Sequence, residues 1–317
     1  TKSGANDFHG TAFFTYRDEG LRGSEVDGMD FTPAAFQEKR WGATLSGPIV
    51  PDRLFFFFGY EETDLGDTND FGPIGSGFPN EVEFVTQDQF NRFGQIASDV
   101  YGQDIGGYPS SLDESSVRYF GRIDAYITDN HRLELTYQRL EEQKVYSDTG
   151  DNQLTGLNSF GLEGTLSDYY SARLFSDWSD VLSTEIRVSR SEVGDRQDPV
   201  GGGEAQSDNP VVRLAVGVTQ PGDDGILGTS DDVAGLLTSG PGLSRSANQL
   251  DTQVDQAKFQ VNLNAGDHQI KIGTEISDLE VYNLFAQNAT GTIFFRNLDD
   301  FEQGLVASGT RSPNAFA

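Results

Sequence analysis

Four carboxylates lie close together in one glycine-rich stretch, residues 222–232, which is the one local group of residues with chemical content. They belong to Asp223, Asp224, Asp231 and Asp232. Clustered carboxylates on a flexible backbone offer the oxygen ligands that Ca²⁺ prefers, so these four are the candidate metal ligands, with a loop-ordering role. The stretch is not an EF-hand loop, because no Glu stands at the twelfth position from Asp223. A solvated acidic turn is the competing interpretation of the same residues.

Enzymatic chemistry finds little support elsewhere in the chain. The three histidines are His9, His131 and His268, and the sequence contains no Gly-x-Ser-x-Gly elbow, phosphate-binding loop or His-Glu-x-x-His motif. Carboxylates are so abundant that a chance pair would mimic an acid/base dyad. We therefore predict that the protein is not an enzyme, with no catalytic residues and no cofactor beyond the candidate Ca²⁺.

Composition excludes several classes of partner and site. The 317 residues include 22 Lys and Arg against 50 Asp and Glu, a net charge of −28, which repels the phosphates of nucleic acids. The absence of cysteine rules out disulfides, thiolate ligands and iron–sulfur clusters.

Alternation with a period of two residues dominates the chain and predicts β-strands with one apolar face. In residues 117–128, for example, Tyr119, Ile123 and Ile127 share one face, while Arg122 and Asp124 lie on the other. Nine candidate strands result, five before residue 150 and four after it: roughly 8–18, 38–49, 53–63, 117–128, 132–138, 168–178, 183–197, 251–265 and 268–276.

The connections between these strands alternate in length. Short turns near 50–53, 129–131, 179–183 and 265–267 alternate with long segments near 19–37, 64–116, 146–167 and 198–250. This order places all tight turns at one end of an up-and-down sheet, as in outer-membrane barrels with short periplasmic turns. Residues 64–115 hold ten acidic residues and one basic, and 198–249 hold seven and two. One helix is predicted, over residues 86–102, with Thr86 as its N-cap.

Aromatic residues near the predicted strand ends suggest a membrane-interface girdle. The candidates are Trp41, Tyr126, Tyr169 and Trp178. Ordinary packing within a sheet is the alternative explanation.

Three motifs give the sequence a family resemblance. Residues 1–10, TKSGANDFHG, followed by Ala12-Phe13-Phe14, resemble the segment where the plug of a TonB-dependent outer-membrane receptor enters its first barrel strand. Residues 40–49, RWGATLSGPI, and 52–61, DRLFFFFGYE, are similar to the second and third strands of the Oar-like branch. Residues 268–275, 291–295 and 300–304 are similar to a strand and its following loop in that branch.

The resemblance implies a fragment of a large plugged barrel that takes up scarce ligands with energy from the inner membrane. Such transporters have about 22 strands, so nine do not close the cylinder. The implied fold is all-β, the N-terminal portion of an antiparallel transmembrane β-barrel with long acidic extracellular loops and one short loop helix. Residues 1–7 would be the plug end and plug–barrel junction, and residues 8–317 the N-terminal part of the barrel.

The predicted function is ligand uptake by a TonB-dependent receptor in the outer membrane of a Gram-negative-type bacterium. The expected partners are outer-membrane lipid, the plug of the same protein, the TonB complex through a missing N-terminal part, and an unidentified extracellular ligand, with no nucleic acid. The acidic loops predict that strongly anionic ligands enter slowly. Two alternatives remain: a soluble or surface β-rich adhesin with acidic, Ca²⁺-ordered loops, and a passive porin or export-related channel.

Overall fold

Nine long strands form one antiparallel sheet in a computed structural model that describes residues 3–30, 36–150 and 152–310. Each strand pairs with the next in the chain, so the predicted nine-stranded meander is confirmed. The strands are β1 (His9–Asp18), β2 (Gln37–Val50), β3 (Leu54–Thr68), β4 (Ser111–Thr128), β5 (His131–Tyr146), β6 (Gly161–Ser179), β7 (Leu182–Arg196), β8 (Asn248–Ala265) and β9 (His268–Phe285). Among the described residues, β1 and β9 are free edges and the sheet is not closed.

The two faces of the sheet differ in chemistry, as period-two alternation requires. On the face that we call inner, Arg122, Asp124 and Glu134 are almost fully buried although they are charged. On the opposite, outer face, Ile186 and Ile276 are exposed although they are apolar. The sheet is therefore inverted relative to a water-soluble one, with buried charge on one side and exposed apolar side chains on the other.

Glycines in β2 provide space for aromatic rings from β1 and from the residue before it, which explains part of the N-terminal motif. A Cβ on Gly42 would overlap the ring of Phe13, and one on Gly47 would overlap the ring of Phe8. Phe8 also lies 6.3 Å from the ring of Phe56 on β3. The motif residues are thus a cross-strand packing unit at the start of the sheet.

Gly164 marks a close approach between β5 and β6, and it gives a sharp test of this geometry. A Cβ there would overlap the carbonyl oxygen of Glu142, whereas one on Gly121 of β4 meets nothing within 4 Å. We expect Gly164→Ala to lower the melting temperature clearly, because a backbone atom cannot move aside as a side chain can. Gly121→Ala is the matched control and should leave the melting temperature unchanged or slightly raised. Equal effects of the two substitutions in thermal unfolding would contradict the strand register.

Four tight turns lie together at one end of the sheet, as the sequence predicts. The N-terminal segment is fixed to the first of them. The amide of Asn6 donates to the Asp52 carboxylate at 2.6 Å, and the Asp52 N–H donates to the Asn6 side-chain oxygen at 2.8 Å. Thr1 and Lys2 of the predicted plug junction lie outside the described residues.

The long connections meet at the other end of the sheet in a folded unit that the sequence did not predict. We call residues 69–110, 147–150, 152–160, 197–247 and 286–310 the loop domain. Its five-stranded sheet has the order Gln153–Thr155, Val233–Ser239, Arg213–Gln220, Thr292–Phe295 and Ser308–Thr310. Shorter elements are the strand pairs Glu25–Val26 with Met29–Asp30 and Phe71–Ile74 with Asn80–Thr86, and the 3₁₀ turns Glu19–Leu21 and Leu157–Ser159.

Two helices cover one face of the loop-domain sheet. Helix α1 (Gln87–Tyr101) begins with a capping box between Thr86 and Gln89 and ends at Gly102, whose φ of 67° suits glycine. The predicted helix over 86–102 and its N-cap are therefore confirmed. Helix α2 (Leu298–Glu302) is too short for a periodic signal and was missed. No helix in the described part of the chain is long and apolar enough to span a membrane.

The main apolar core of the described chain lies in the loop domain rather than in the nine-stranded sheet. Phe301 of α2 is fully buried and stacks on Tyr101 of α1, with ring centroids 4.6 Å apart. Phe84 covers Gly235, where no side chain fits. The cluster also contains Val82, Val85, Phe90, Phe93, Ile96, Ala97, Ile105, Leu154, Leu214, Val216, Val218, Leu237, Phe295 and Leu298.

Candidate functional site

The inner face near the tight turns carries a chain of alternating charges that crosses five strands. Arg122 donates two hydrogen bonds to Asp124, at 2.8 and 2.7 Å, and lies 2.9 Å from Glu134. The chain continues from Glu134 through Arg173 to Glu185. We call this set the ion-pair ladder; its members are Arg122, Asp124, Arg132, Glu134, Arg173, Glu185 and Lys258.

Further from the tight turns, the inner face contains a cavity of about 590 Å³, which we call the wall cavity. Phe57 and Phe120 line it, with ring centroids 5.6 Å apart, and Tyr169 lies beside them. Glu61 accepts from Arg40 at 2.9 Å and from Arg118 at 3.2 Å at its rim. The cavity thus combines aromatic rings with charged side chains that are held in ion pairs.

A second inner cavity of about 460 Å³ lies between the wall cavity and the loop domain; we call it the upper cavity. Its charged side chains are Glu114, Glu142, Lys144, Glu163 and Asp195. Lys144 lies 3.7 Å from Glu163, and Arg118 donates to Glu142 at 2.7 Å. Among the described residues, Glu114 and Asp195 have no cation within ion-pair distance, so this cavity is acidic.

On the outer face, aromatic rings form a row across β2 to β6, above an apolar band that extends to the tight turns. The ring of Tyr60 lies 4.9 Å from Trp41 and 5.0 Å from Tyr119, and Tyr137 lies 5.1 Å from Tyr170. Such a row at the border of an apolar band is the arrangement of a membrane-interface girdle.

The hydroxyls of this row bond to carboxylates on the loop-domain side. Tyr60 donates to Glu62 at 2.6 Å, and Tyr137 donates to Asp168 at 2.6 Å. Arg190 and Asp255 form a bidentate pair with both distances at 2.7 Å on the same outer face. The outer face therefore changes from apolar to charged at the aromatic row.

The predicted girdle residues divide between the two faces. Trp41 belongs to the outer row, and Trp178 lies at the tight-turn end, where it donates to Thr184. Tyr126 and Tyr169 face inward, since Tyr126 packs on Phe55 and Tyr169 lines the wall cavity. Their predicted placement in the girdle is wrong. A girdle residue must lie near the membrane–water interface and must also point to the outer face, and side chains alternate between the two faces along a strand.

The acidic stretch 222–232 is a turn in which carboxylates accept hydrogen bonds from backbone N–H groups of the same stretch. Asp231 accepts from the Asp224 N–H at 3.1 Å and from the Thr229 hydroxyl at 2.6 Å. The hydrogen bond from Thr229, and after it the one from Asp224, lower the pKa of Asp231. Asp232 accepts from the Gly228 N–H at 2.7 Å. No group of three or more His, Asp or Glu side chains in the described ranges is arranged to hold a metal ion. Ca²⁺ binding by Asp223, Asp224, Asp231 and Asp232 stays a prediction.

The three histidines lie on separate strands. His9 begins β1, His131 begins β5 and His268 begins β9. His131 packs edge-on against Trp178 with ring centroids 5.0 Å apart. The structure therefore does not bring the histidines together.

Comparison with known proteins agrees with this architecture. Residues 1–72 match the family model described as an outer membrane beta barrel domain. The TonB-dependent transporter Oar of Myxococcus xanthus is 23% identical over 98% of the chain, which spans 32% of that protein. The outer-membrane transporter YddB of Escherichia coli superposes with a TM-score of 0.54 at 10% identity, over 92% of this chain and 33% of that one. The chain thus spans about a third of the length of the relatives it matches.

This chain has the fold of an outer-membrane β-barrel wall and resembles the TonB-dependent transporters. In barrels of this kind an apolar band is the side that faces lipid, and a polar inner face is the side that faces the lumen. The predicted recognition, the antiparallel all-β fold and the outer-membrane location of a Gram-negative-type bacterium are confirmed. The relatives are transporters and receptors rather than enzymes.

Substituting a charged residue for an apolar one tests whether the apolar band of the wall lies within the membrane. Leu135 lies on the outer face of β5 below the aromatic row, whereas Glu141 lies on the same face above it. We expect Leu135→Arg to lower the free energy of unfolding in lipid by about 2–4 kcal/mol, because arginine near the bilayer centre is costly. Glu141→Gln is the control and should change it by less than about 1 kcal/mol. A tolerated arginine at 135 in vesicle unfolding experiments would argue against a lipid contact there.

Beneath the loop-domain sheet lies a buried polar region that sequence analysis missed. Arg213 is buried, donates to Gln153 at 3.2 Å, and has its pKa lowered by burial. The hydroxyls of Thr155 and Thr238 are fully buried and, among the described residues, have no hydrogen-bond partner. These residues become neighbours only through the pairing of distant strands.

Two carboxyls of the loop domain predict a pH dependence. Burial raises the pKa of Asp198, and burial together with the charge of Asp198 raises the pKa of Glu204. A raised pKa means that the folded state favours the protonated form, so the Asp198 charge costs stability at neutral pH and the cost disappears in acid. We expect Asp198→Asn to raise the melting temperature at pH 7, with a difference that vanishes as the pH falls below the ordinary carboxyl range. Asp223→Asn, at an exposed position, is the control in the same pH series.

Proposed function

We propose that this wall belongs to a transporter that takes up a ligand across the outer membrane with energy from the inner membrane. The inner face carries the proposal: it holds the ion-pair ladder and the charged upper cavity, with the aromatic wall cavity between them, while the outer face is apolar where it meets lipid. A wall built this way lines a hydrated or protein-filled lumen.

We further propose that residues 1–7 join this wall to a plug domain that precedes it. The reciprocal bonds between Asn6 and Asp52 fix that segment at the tight-turn end, which is the periplasmic end of such barrels. The ion-pair ladder faces the same part of the lumen and offers the plug a polar contact surface. A TonB complex would act through the plug.

An uptake experiment tests the transport proposal. Cells that carry the gene, cells that lack it, and gene-carrying cells treated with a protonophore are grown in one complex medium, and depletion of small molecules is followed by mass spectrometry. We expect at least one compound to be depleted only by untreated, gene-carrying cells. Depletion profiles that do not depend on the gene, or that survive the protonophore, would contradict energised uptake.

The alternative of a soluble adhesin gains no support from the structure. A soluble β-rich module buries its apolar strand faces, whereas Val188 and Ile272 of this sheet expose theirs. The loop lengths also place every long connection at one end of the sheet.

A further inference from the structure

The loop-domain sheet has an apolar face, covered by the two helices, and an opposite face that carries buried polar groups. Leu214 and Leu237 belong to the apolar core on the helix side. Because side chains alternate along a strand, the neighbouring Arg213 and Thr238 point to the opposite face. Thr155 pairs with Thr238 and shares that face. All three of these polar residues are buried, and both threonines are 0% exposed.

The register of three strands brings these groups to one place. Thr155, Thr238 and Ala215 form a row across neighbouring strands. Arg213 lies two residues from Ala215 on one side of the row, and Gln153 lies two residues from Thr155 on the other side. The diagonal between Arg213 and Gln153 is about 16 Å long and crosses the row at Thr238. Because Arg213 Nη2 donates to Gln153 Oε1 at 3.2 Å, both side chains extend along this diagonal, and the guanidinium lies over the threonines.

The positive charge of Arg213 is buried without an ion-pair partner among the described residues. Its side chain donates to the neutral amide of Gln153. Burial lowers the pKa of Arg213, and Asp148 partly offsets this through space, although Asp148 is exposed to solvent and forms no ion pair with Arg213. In the same part of the chain, Arg213 Nε and the hydroxyls of Thr155 and Thr238 have no hydrogen-bond partner. Such an arrangement costs free energy unless the groups share a negatively charged acceptor.

We infer that the loop domain binds a small monovalent anion, such as chloride, between the Arg213 guanidinium and the hydroxyls of Thr155 and Thr238. One negative charge balances the one positive charge. Paired residues on neighbouring strands are about 5 Å apart, so an ion between their hydroxyls accepts a hydrogen bond from each. Complete burial of both threonines favours a monatomic ion over a phosphate. The ion ties together three strands of the loop-domain sheet.

Hydrogen exchange tests this inference on the full-length receptor in detergent. Chloride is replaced stepwise by gluconate at constant ionic strength. Above the dissociation constant, each tenfold rise in chloride should slow the exchange of amides in Gln153–Thr155 and Val233–Ser239 about tenfold, because an ion that binds only the closed form opposes opening. The nine-stranded sheet of the same molecules is the internal reference and should not respond.

Substitutions separate an ion from hydroxyls that are merely unpaired. Thr155→Val with Thr238→Val removes both hydroxyls and keeps their shape, and Arg213→Met removes the charge. We expect exchange in both variants to be independent of chloride. In gluconate the valine variant should exchange no faster than the unchanged protein, because it buries no unpaired hydroxyl. Thr219→Val and Arg92→Met, at exposed positions of the same domain, are the controls and should keep the chloride dependence.

Loop-domain exchange that does not respond to chloride would overturn the inference. A chloride dependence that survives in the valine variant, or in Arg213→Met, would overturn it as well. Crystals grown in bromide give an independent check, since anomalous scattering should place one ion between Thr155 and Thr238. None of these results bears on ligand uptake, so the proposed function is tested separately.

Discussion

Arg122→Met should lower the free energy of unfolding of the barrel wall by about 3–5 kcal/mol, because it removes the most buried cation from two buried carboxylates. Asp124 and Glu134 would keep only their longer contacts, with Arg132 at 3.9 Å and Arg173 at 3.6 Å. Arg122 is 7% exposed and binds both Asp124 and Glu134, which are equally buried. Removing one partner of such a set costs far more than the set contributes as a whole. Chemical unfolding in detergent, followed by circular dichroism, measures the difference.

Arg118→Met is the matched control on the same face of the same strand. Its side chain is 50% exposed, and its pairs with Glu61 and Glu142 are open to water. Exposed pairs contribute little, so we expect a loss below about 1 kcal/mol. If both variants lost the same amount, the inner face near the tight turns would not be the buried environment described above.

Phe301→Ala should destabilise the loop domain by about 3–5 kcal/mol, because it removes a fully buried ring from its core. The ring contacts Tyr101, Phe93 and Phe295 at centroid distances of 4.6, 5.5 and 5.0 Å. We expect faster proteolysis within residues 69–110 and 197–247 while the nine-stranded sheet keeps its circular dichroism.

Leu305→Ala, three residues beyond α2, is the control for that experiment. Leu305 is 53% exposed and should be proteolysed like the unchanged protein. Loss of the long strands together with the loop domain in Phe301→Ala would show that the two parts unfold as one unit, contrary to their separate cores.

The nine strands were predictable because each carries its own evidence. In β4, the alternation of apolar and polar residues in the sequence already assigns Ile123 and Arg122 to opposite faces. The structure adds only the register of β4 with its neighbouring strands. Helix α1 was predictable for the same reason, since its cap at Thr86 and its apolar positions are local in sequence.

The loop domain was not predictable, because its strands pair across long distances and three of the five have only three or four residues. Arg213–Val216 pair in parallel with Thr292–Phe295, and Gln153–Thr155 pair in parallel with Leu236–Thr238. Pieces of three or four residues give no periodic signal. The connections therefore looked like separate acidic loops, although they share one apolar core.

The candidate site was only partly predictable. The sequence places Tyr169 near a strand end, but only the register with Gln138 shows that it faces the lumen. The wall cavity combines residues from six strands, and no local pattern connects Phe13 to Tyr169.

The central claim is that this sheet crosses the outer membrane with the loop domain outside, and cysteine labelling tests it most directly. The chain has no cysteine, so Ile226→Cys, Asp129→Cys and Ile186→Cys each give one thiol, in the loop domain, a tight turn and the lipid-facing band. With a polymer-linked maleimide too large to enter the periplasm, we expect intact cells to be labelled at 226 only. Position 129 should react after the outer membrane is permeabilised, and position 186 only after denaturation. Labelling of 129 in intact cells, or of 186 in the folded protein, would contradict the claim.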